Sequence, residues 1–183
     1  VEDNLRIALN TSLDLKKDAA GRIIGADVHV LPSEVYLRDA MCKVNESDIS
    51  YDGSSLSIDN LAIRHGQQHV IVHGRASKFS NDSIFVDING IDVPYVLDFI
   101  KFDDVEFAGI ASGHVVVSDL FRTPEAHASL VVDDFFFEKG QMGTLYAEAD
   151  WNNEYGQIDI DAQCIDEGRS TCISGYISPT RNY

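Results

Sequence analysis

His65, His69 and His73 recur at a spacing of four, a run that invites a metal-binding reading. On an extended strand His69 and His73 share a face but stand about 13 Å apart, at about 3.3 Å per residue. A metal ion holds its nitrogen ligands at about 2 Å, so these two cannot share one ion. His65 lies across a turn at Gly66, and the run reads as solvent-facing histidines. The carboxylate clusters Asp103-Asp104, Asp133-Asp134 and Asp159/Asp161 have the chemistry for calcium or for an acid–base pair. They lack the dense Asp/Asn/Gly loop of a calcium site. Asp159 and Asp161 also alternate with Ile158 and Ile160, which places them on the wet side of a strand. No Gly-x-Ser-x-Gly elbow, phosphate-cradling glycine loop or Cys-x-x-Cys occurs. No catalytic residue, metal or cofactor is expected, and the chain reads as non-enzymatic.

The cysteines Cys42, Cys164 and Cys172 are odd in number and do not make a disulfide framework. Cys164 and Cys172 flank the loop 165–171 and either pair across a hairpin or serve as small apolar strand residues. The charge is −16, from 30 acidic against 14 basic side chains, so nucleic acid is an unsuitable partner and an anionic membrane surface is disfavoured. Hydrophobic residues make up 44% of the chain, enough for a sizeable core. No apolar run approaches the roughly 20 residues that span a bilayer, and no signal peptide opens the chain. The simplest reading is an excised piece of a longer protein, with any anchor or signal outside it.

These side chains must be carried by strands. Apolar and polar residues alternate through Leu13–Leu15, Ile24–Leu31, Leu56–Ile58, Val70–Val72, Ile84–Ile88, Val115–Val117, Leu130–Val132, Leu145–Ala149 and Ile158–Ala162. Turn pairs such as Asp52-Gly53, His65-Gly66, Lys139-Gly140 and Tyr155-Gly156 separate them. A meander of antiparallel neighbours is predicted. One stretch departs from the alternation: Val93, Val96, Leu97 and Ile100 have helical spacing, with Asp92 as a cap and Pro94 in the first turn. A short helix near 92–101 is expected there, docked on the sheet.

The chain also repeats itself. Val70 to Ser77 resembles Thr171 to Ser178, with Gly74 and Gly175 in matching places. Two units are expected, 1–78 and 79–183, as parts of one continuous sheet. Phe135-Phe136-Phe137, with Phe99, Phe102, Phe107 and Phe121, forms the most apolar neighbourhood. It is either an ordinary core or an apolar face held open for a hydrophobic ligand. Each large apolar side chain left wet forgoes roughly 1.5–3 kcal/mol, so an open face implies a use or a partner.

The stretch from Phe107 to Val117, then Leu120 to Phe135, carries a Gly-x-x-x-Gly strand, a short loop with Pro124, and a strand ending in an acidic turn and an aromatic. Gly143 to Asn153, Gln157 to Ala162 and Ser174 to Pro179 continue the pattern. Ser12 to Leu15, Gly21 to Val30 and Gln68 to Ser77 extend it through the first half. In this order the chain resembles the TamB/AsmA-like translocation and assembly module family, most of all the TamB proteins of the Bacteroides group.

The resemblance implies a mainly β fold, an elongated, curved antiparallel sheet forming a β-taco or groove with an apolar floor. It implies a full-length protein anchored in the inner membrane and reaching across the periplasm. Phospholipid acyl chains, and an outer-membrane barrel assembly factor, are the partners it implies. The family carries no catalytic residues. The chain would be an internal section, without the N-terminal anchor and the C-terminal domain of the family.

Alternation makes Ile84, Val86, Val115, Val117, Leu130, Val132, Phe135, Phe137, Leu145, Ala147, Ile158 and Ile160 the candidates for the groove, or else for a closed core. Conduction of phospholipid between the inner and outer membranes is the expected function. One alternative is a scaffold that assists outer-membrane protein assembly through its open edges. Another is a carbohydrate-binding or adhesin-like module, which needs exposed aromatics on a polar face; the only tryptophan is Trp151.

Overall fold

The computed structural model describes residues 5–6, 9–37, 40–95 and 106–178. The fold is mainly β, an open antiparallel sheet with a short helical segment. Fourteen strands occur among the described residues. In the first part these are β1 (Leu5–Arg6), β2 (Thr11–Lys17), β3 (Ile23–Val30), β4 (Ser33–Leu37), β5 (Ala40–Val44), β6 (Ser47–Tyr51), β7 (Ser55–His65) and β8 (Gln68–Ser77). Then follow β9 (Ser83–Asp92), β10 (Phe107–Ser118), β11 (Glu125–Phe137), β12 (Gly140–Asn152), β13 (Gln157–Asp166) and β14 (Arg169–Ile177). Residues 93–95 are helical, where the predicted helix begins; its remainder, with Phe99, Phe102, Asp103 and Asp104, falls outside the described residues.

The chain divides into two compact units. The first comprises Val1–Val86 with Val117–Pro124, and the second Asp87–Val116 with Glu125–Tyr183. The division thus falls inside β9 and β10.

The first unit is not a simple meander. β7 pairs with β6 through its first half, at Leu56 to Ile58, and with β5 through its second half, at Ile63 and Arg64. One branch continues from β6 to β3 and β2, the other from β5 to β4 and β1. The chain crosses between branches at Asn45-Glu46, and Asn45 ties the fork together. Its Oδ1 accepts from the Ala62 N–H at 2.5 Å, and its Nδ2 donates to the Asn60 carbonyl at 2.9 Å. The Ser47 hydroxyl donates to the Asp59 carbonyl at 2.5 Å. These side chains satisfy backbone groups that the ladder leaves unpaired where the branches part. Val30, Val35, Cys42 and Val44 form the buried cluster beside them.

The ladder of β7 and β8 carries an extra residue between Ile58 and Leu61, with Asn60 at φ 51°. A strand reverses its faces with every residue. The bulge therefore restores Leu61 and Ile63 to the face that already holds Ile58.

In the second unit β11, β12, β13 and β14 are consecutive antiparallel hairpins. Its buried cluster is Ala111, Val132, Phe135 and Cys164, with Val93, Phe107, Met142 and Leu145 packed against it. The repeat seen in the sequence is also a repeat of register. Val28, Ile49, Ile58 and Gly74 lie opposite one another across β3, β6, β7 and β8. Ala128, Ala149, Ile160 and Gly175 do the same across β11 to β14.

Candidate functional site, an apolar sheet face

Residues directly opposite one another in an antiparallel ladder project from the same side. Three successive rows across the second unit are apolar. Val132, Leu145 and Cys164 make one, which ends on Thr171 of β14; Leu130, Ala147, Ala162 and Ile173 make the next, and Ala128, Ala149, Ile160 and Gly175 the third. Trp151, Ile158 and Ile177 continue the same face. Trp151 is therefore a strand residue on the apolar side, and its indole N–H donates to Asn153 Oδ1 at 3.1 Å.

Six of the candidate residues, Leu130, Val132, Leu145, Ala147, Ile158 and Ile160, thus share one face of β11 to β13. Phe135 joins them through a bulge. The ladder steps three residues on β11 but two on β12 between the pairs Val132–Leu145 and Phe135–Gly143, with Asp134 at φ 49°. The Phe107 ring lies 6.0 Å from that of Phe135 and 5.6 Å from that of Phe137. Phe135 is buried while Phe137 stays 43% exposed. Ile84, Val86 and Val117 belong to the first unit, and Val115 to the second. Ile84 is buried and the other three are half-buried.

The face is packed unevenly. Val132, Phe135 and Cys164 are buried where the Phe107 ring and Val93 cover them. Leu130, Leu145, Ala147, Ile158 and Ile160 are only half-buried. Among the described residues Phe135 is the largest buried side chain. A sheet sandwiched between two layers would bury Leu130, Leu145, Ile158 and Ile160 as well.

The opposite face is more polar. Two of its rows are Ser129, Glu148, Asp161 and Ser174, and His127, Asp150, Asp159 and Tyr176, while a third, Val131, Tyr146, Gln163 and Cys172, is mixed. His127 sits between two carboxylates: its Nδ1 is 2.8 Å from Asp150 and its Nε2 3.1 Å from Glu148. The hydrogen bond with Asp150 holds the imidazole pKa above its ordinary value. In the first unit His29 stands between Asp48 at 2.6 Å and Glu46 at 3.4 Å, and is raised for the same reason. Asp159 accepts from Asn152 at 2.7 Å and Gln157 at 2.6 Å, which holds its carboxyl below the usual range. The sequence gives no sign of the histidine clusters, because each depends on a register set by strands distant in the chain.

The other chemical candidates are dispersed. His65 bonds the Met41 carbonyl at 2.8 Å, His69 the Gln67 carbonyl at 3.3 Å, and His73 stacks on Phe85 with ring centres 5.3 Å apart. No group of three His, Cys, Asp or Glu among the described residues is arranged to hold a metal ion. Cys164 lies opposite Thr171 and Cys172 opposite Gln163, so the two thiols project from opposite faces. All three cysteines are free. Comparison with models of protein families, with curated proteins and with solved structures finds no match for this chain.

Proposed function

We propose that the chain is a non-catalytic segment of an envelope-spanning groove protein that conducts phospholipid, as its resemblance to the TamB/AsmA-like family implies. The observation that carries this reading is the run of apolar rows across β11 to β13, in which Leu130, Leu145, Ile158 and Ile160 remain half-buried. An acyl chain laid on such a face makes many weak contacts, each about 0.1–0.2 kcal/mol per atom pair. No single contact traps it, so it can slide. The polar rows keep the other side in water, as a solvated periplasmic segment requires. In this reading the groove residues are those of the apolar rows, and the full-length protein is anchored in the inner membrane.

The test is photo-crosslinking in cells from Leu145 and Ile158 on the apolar face, with Glu148 and Asp161 on the polar face as controls. Phospholipid adducts from the first pair and none from the second are expected. Adducts to protein alone at Leu145 and Ile158 would replace conduction by the scaffold reading.

A further inference from the structure

One end of the first unit carries a row of exposed apolar tips that the groove reading does not use. β3 begins, β6 ends, β7 begins, β8 ends, β9 begins and β10 ends at this end of the strands. The turns there are tied to one another. The Lys78 N–H donates to the Ser54 carbonyl, Arg122 Nη2 donates to Asn81 Oδ1 at 2.5 Å, and the Ser83 and Ser118 hydroxyls meet at 2.9 Å. Phe79 stands 85% exposed, Ile23 61%, Ile24 49%, Tyr51 40% and Leu120 37%. Phe79 is the most exposed large hydrophobic side chain among the described residues. An open depression of about 610 Å³ lies beside Ile23, Ile24 and Tyr51.

The electrostatics of this end differ from those of the whole. The chain carries −16, yet here the carboxylates are paired. Asp18 holds Arg22 at 2.7 Å, Asp119 holds Arg122, and Asp82 faces Arg75 at 3.9 Å. Asp52 is occupied by the backbone N–H and hydroxyl groups of Ser54 and Ser55. Lys78 reaches the Gly53 carbonyl at 2.9 Å and lies 5.9 Å from the centre of the Phe121 ring.

We infer that this rim is a membrane-contact edge, and that Ile23, Tyr51, Phe79 and Leu120 enter the interfacial layer of a phospholipid bilayer. Apolar and aromatic side chains with basic neighbours are what that layer accepts: rings at the headgroup level, and Lys or Arg heads turned to water or phosphate. Ile23 begins β3, Tyr51 ends β6, and Phe79 and Leu120 lie in the turns after β8 and β10, with neighbouring strands about 4.8 Å apart. Tips spread over separate strand ends suit a bilayer surface, whereas a protein partner would need a pocket for each. The balanced charge removes the repulsion that the rest of the surface would meet at phosphate headgroups. This inference is independent of lipid conduction along β11 to β14.

Sedimentation of the chain with vesicles of phosphatidylcholine, and of phosphatidylcholine mixed with phosphatidylglycerol, tests it. The chain is expected to pellet with both. The Phe79→Ser/Leu120→Ser variant should bind on the order of tenfold more weakly, because two anchoring side chains are lost. Tyr155→Ser removes an exposed aromatic from the second unit; it should bind like the wild type. Thermal melts of each variant control for folding. Wild-type chain that stays in the supernatant with both vesicles overturns the proposal. So does a double variant that binds like the wild type, or crosslinks from position 79 that capture protein and no lipid.

Discussion

His127 on β11 stands directly across the ladder from Asp150 on β12, with its Nδ1 2.8 Å from the carboxylate. Glu148 closes on the other ring nitrogen, and Asp159 and Asp161 lie one strand further on the same face. The charged imidazole is favoured, so its folded pKa lies above the unfolded value of about 6.5. Its contribution to stability is therefore fully present below that value and is lost as pH rises through the folded pKa. NMR titration should place the midpoints of His127 and His29 above those of an unfolded control. Asp150→Asn should lower the midpoint of His127 and leave His29 unmoved. An unshifted His127 would show that the cross-strand pair is not populated in solution.

Asn45 holds the fork of the first unit through the backbone of Asn60 and Ala62. Asn45→Ala should destabilise the chain by about 1–3 kcal/mol, because it strands backbone groups beside the nearly buried Ala62. Asn45→Asp keeps the acceptor for Ala62 but loses the donor to Asn60, and should fall between. The midpoint of urea unfolding measures both.

Gly74 and Gly175 match in sequence and in ladder row, yet their surroundings differ. Gly74 takes φ 120°, and a Cβ there would come within 2.4 Å of the Ser83 carbonyl oxygen. A Cβ at Gly175 meets nothing within 4 Å. Gly74→Ala should cost roughly 1–3 kcal/mol through backbone strain. Gly175→Ala should be neutral or stabilising by up to about 1 kcal/mol, since it only restricts the unfolded chain. Equal losses in thermal melts would contradict the difference in crowding.

Cys172 is exposed, whereas Cys42 and Cys164 are buried and desolvation pushes their thiols up. The thiolate is the reactive form. A chromogenic thiol reagent at neutral pH should therefore label one cysteine quickly in the native chain, and the other two only on adding denaturant. Mass spectrometry should place the fast label on Cys172. A Cys164–Cys172 crosslink would contradict their placement on opposite faces.

Much of the chain was legible from alternation, because a side chain's face is set by its neighbours in sequence at a period of two. That rule alone put Leu130 with Val132, Leu145 with Ala147, and Ile158 with Ile160, and set Asp159 and Asp161 against them. Turn pairs such as Lys139-Gly140 and Tyr155-Gly156 marked where strands reverse. The first turn of the helix at 93–95 was legible from Asp92 and Pro94.

Tertiary structure alone decided which strands meet. β3 pairs with β6 and passes over the β4–β5 hairpin, so the first unit forks where local pattern predicts a meander. The bulges at Asn60 and Asp134 also escape the alternation, since an extra residue has no meaning until a partner strand fixes the register. The same holds for the His127–Asp150 pair, the opposed thiols of Cys164 and Cys172, and the exposed row from Ile23 to Leu120. Backbone hydrogen bonding is nearly the same for every strand, so the sequence determines faces locally. Neighbours and register are chosen only when distant side chains pack.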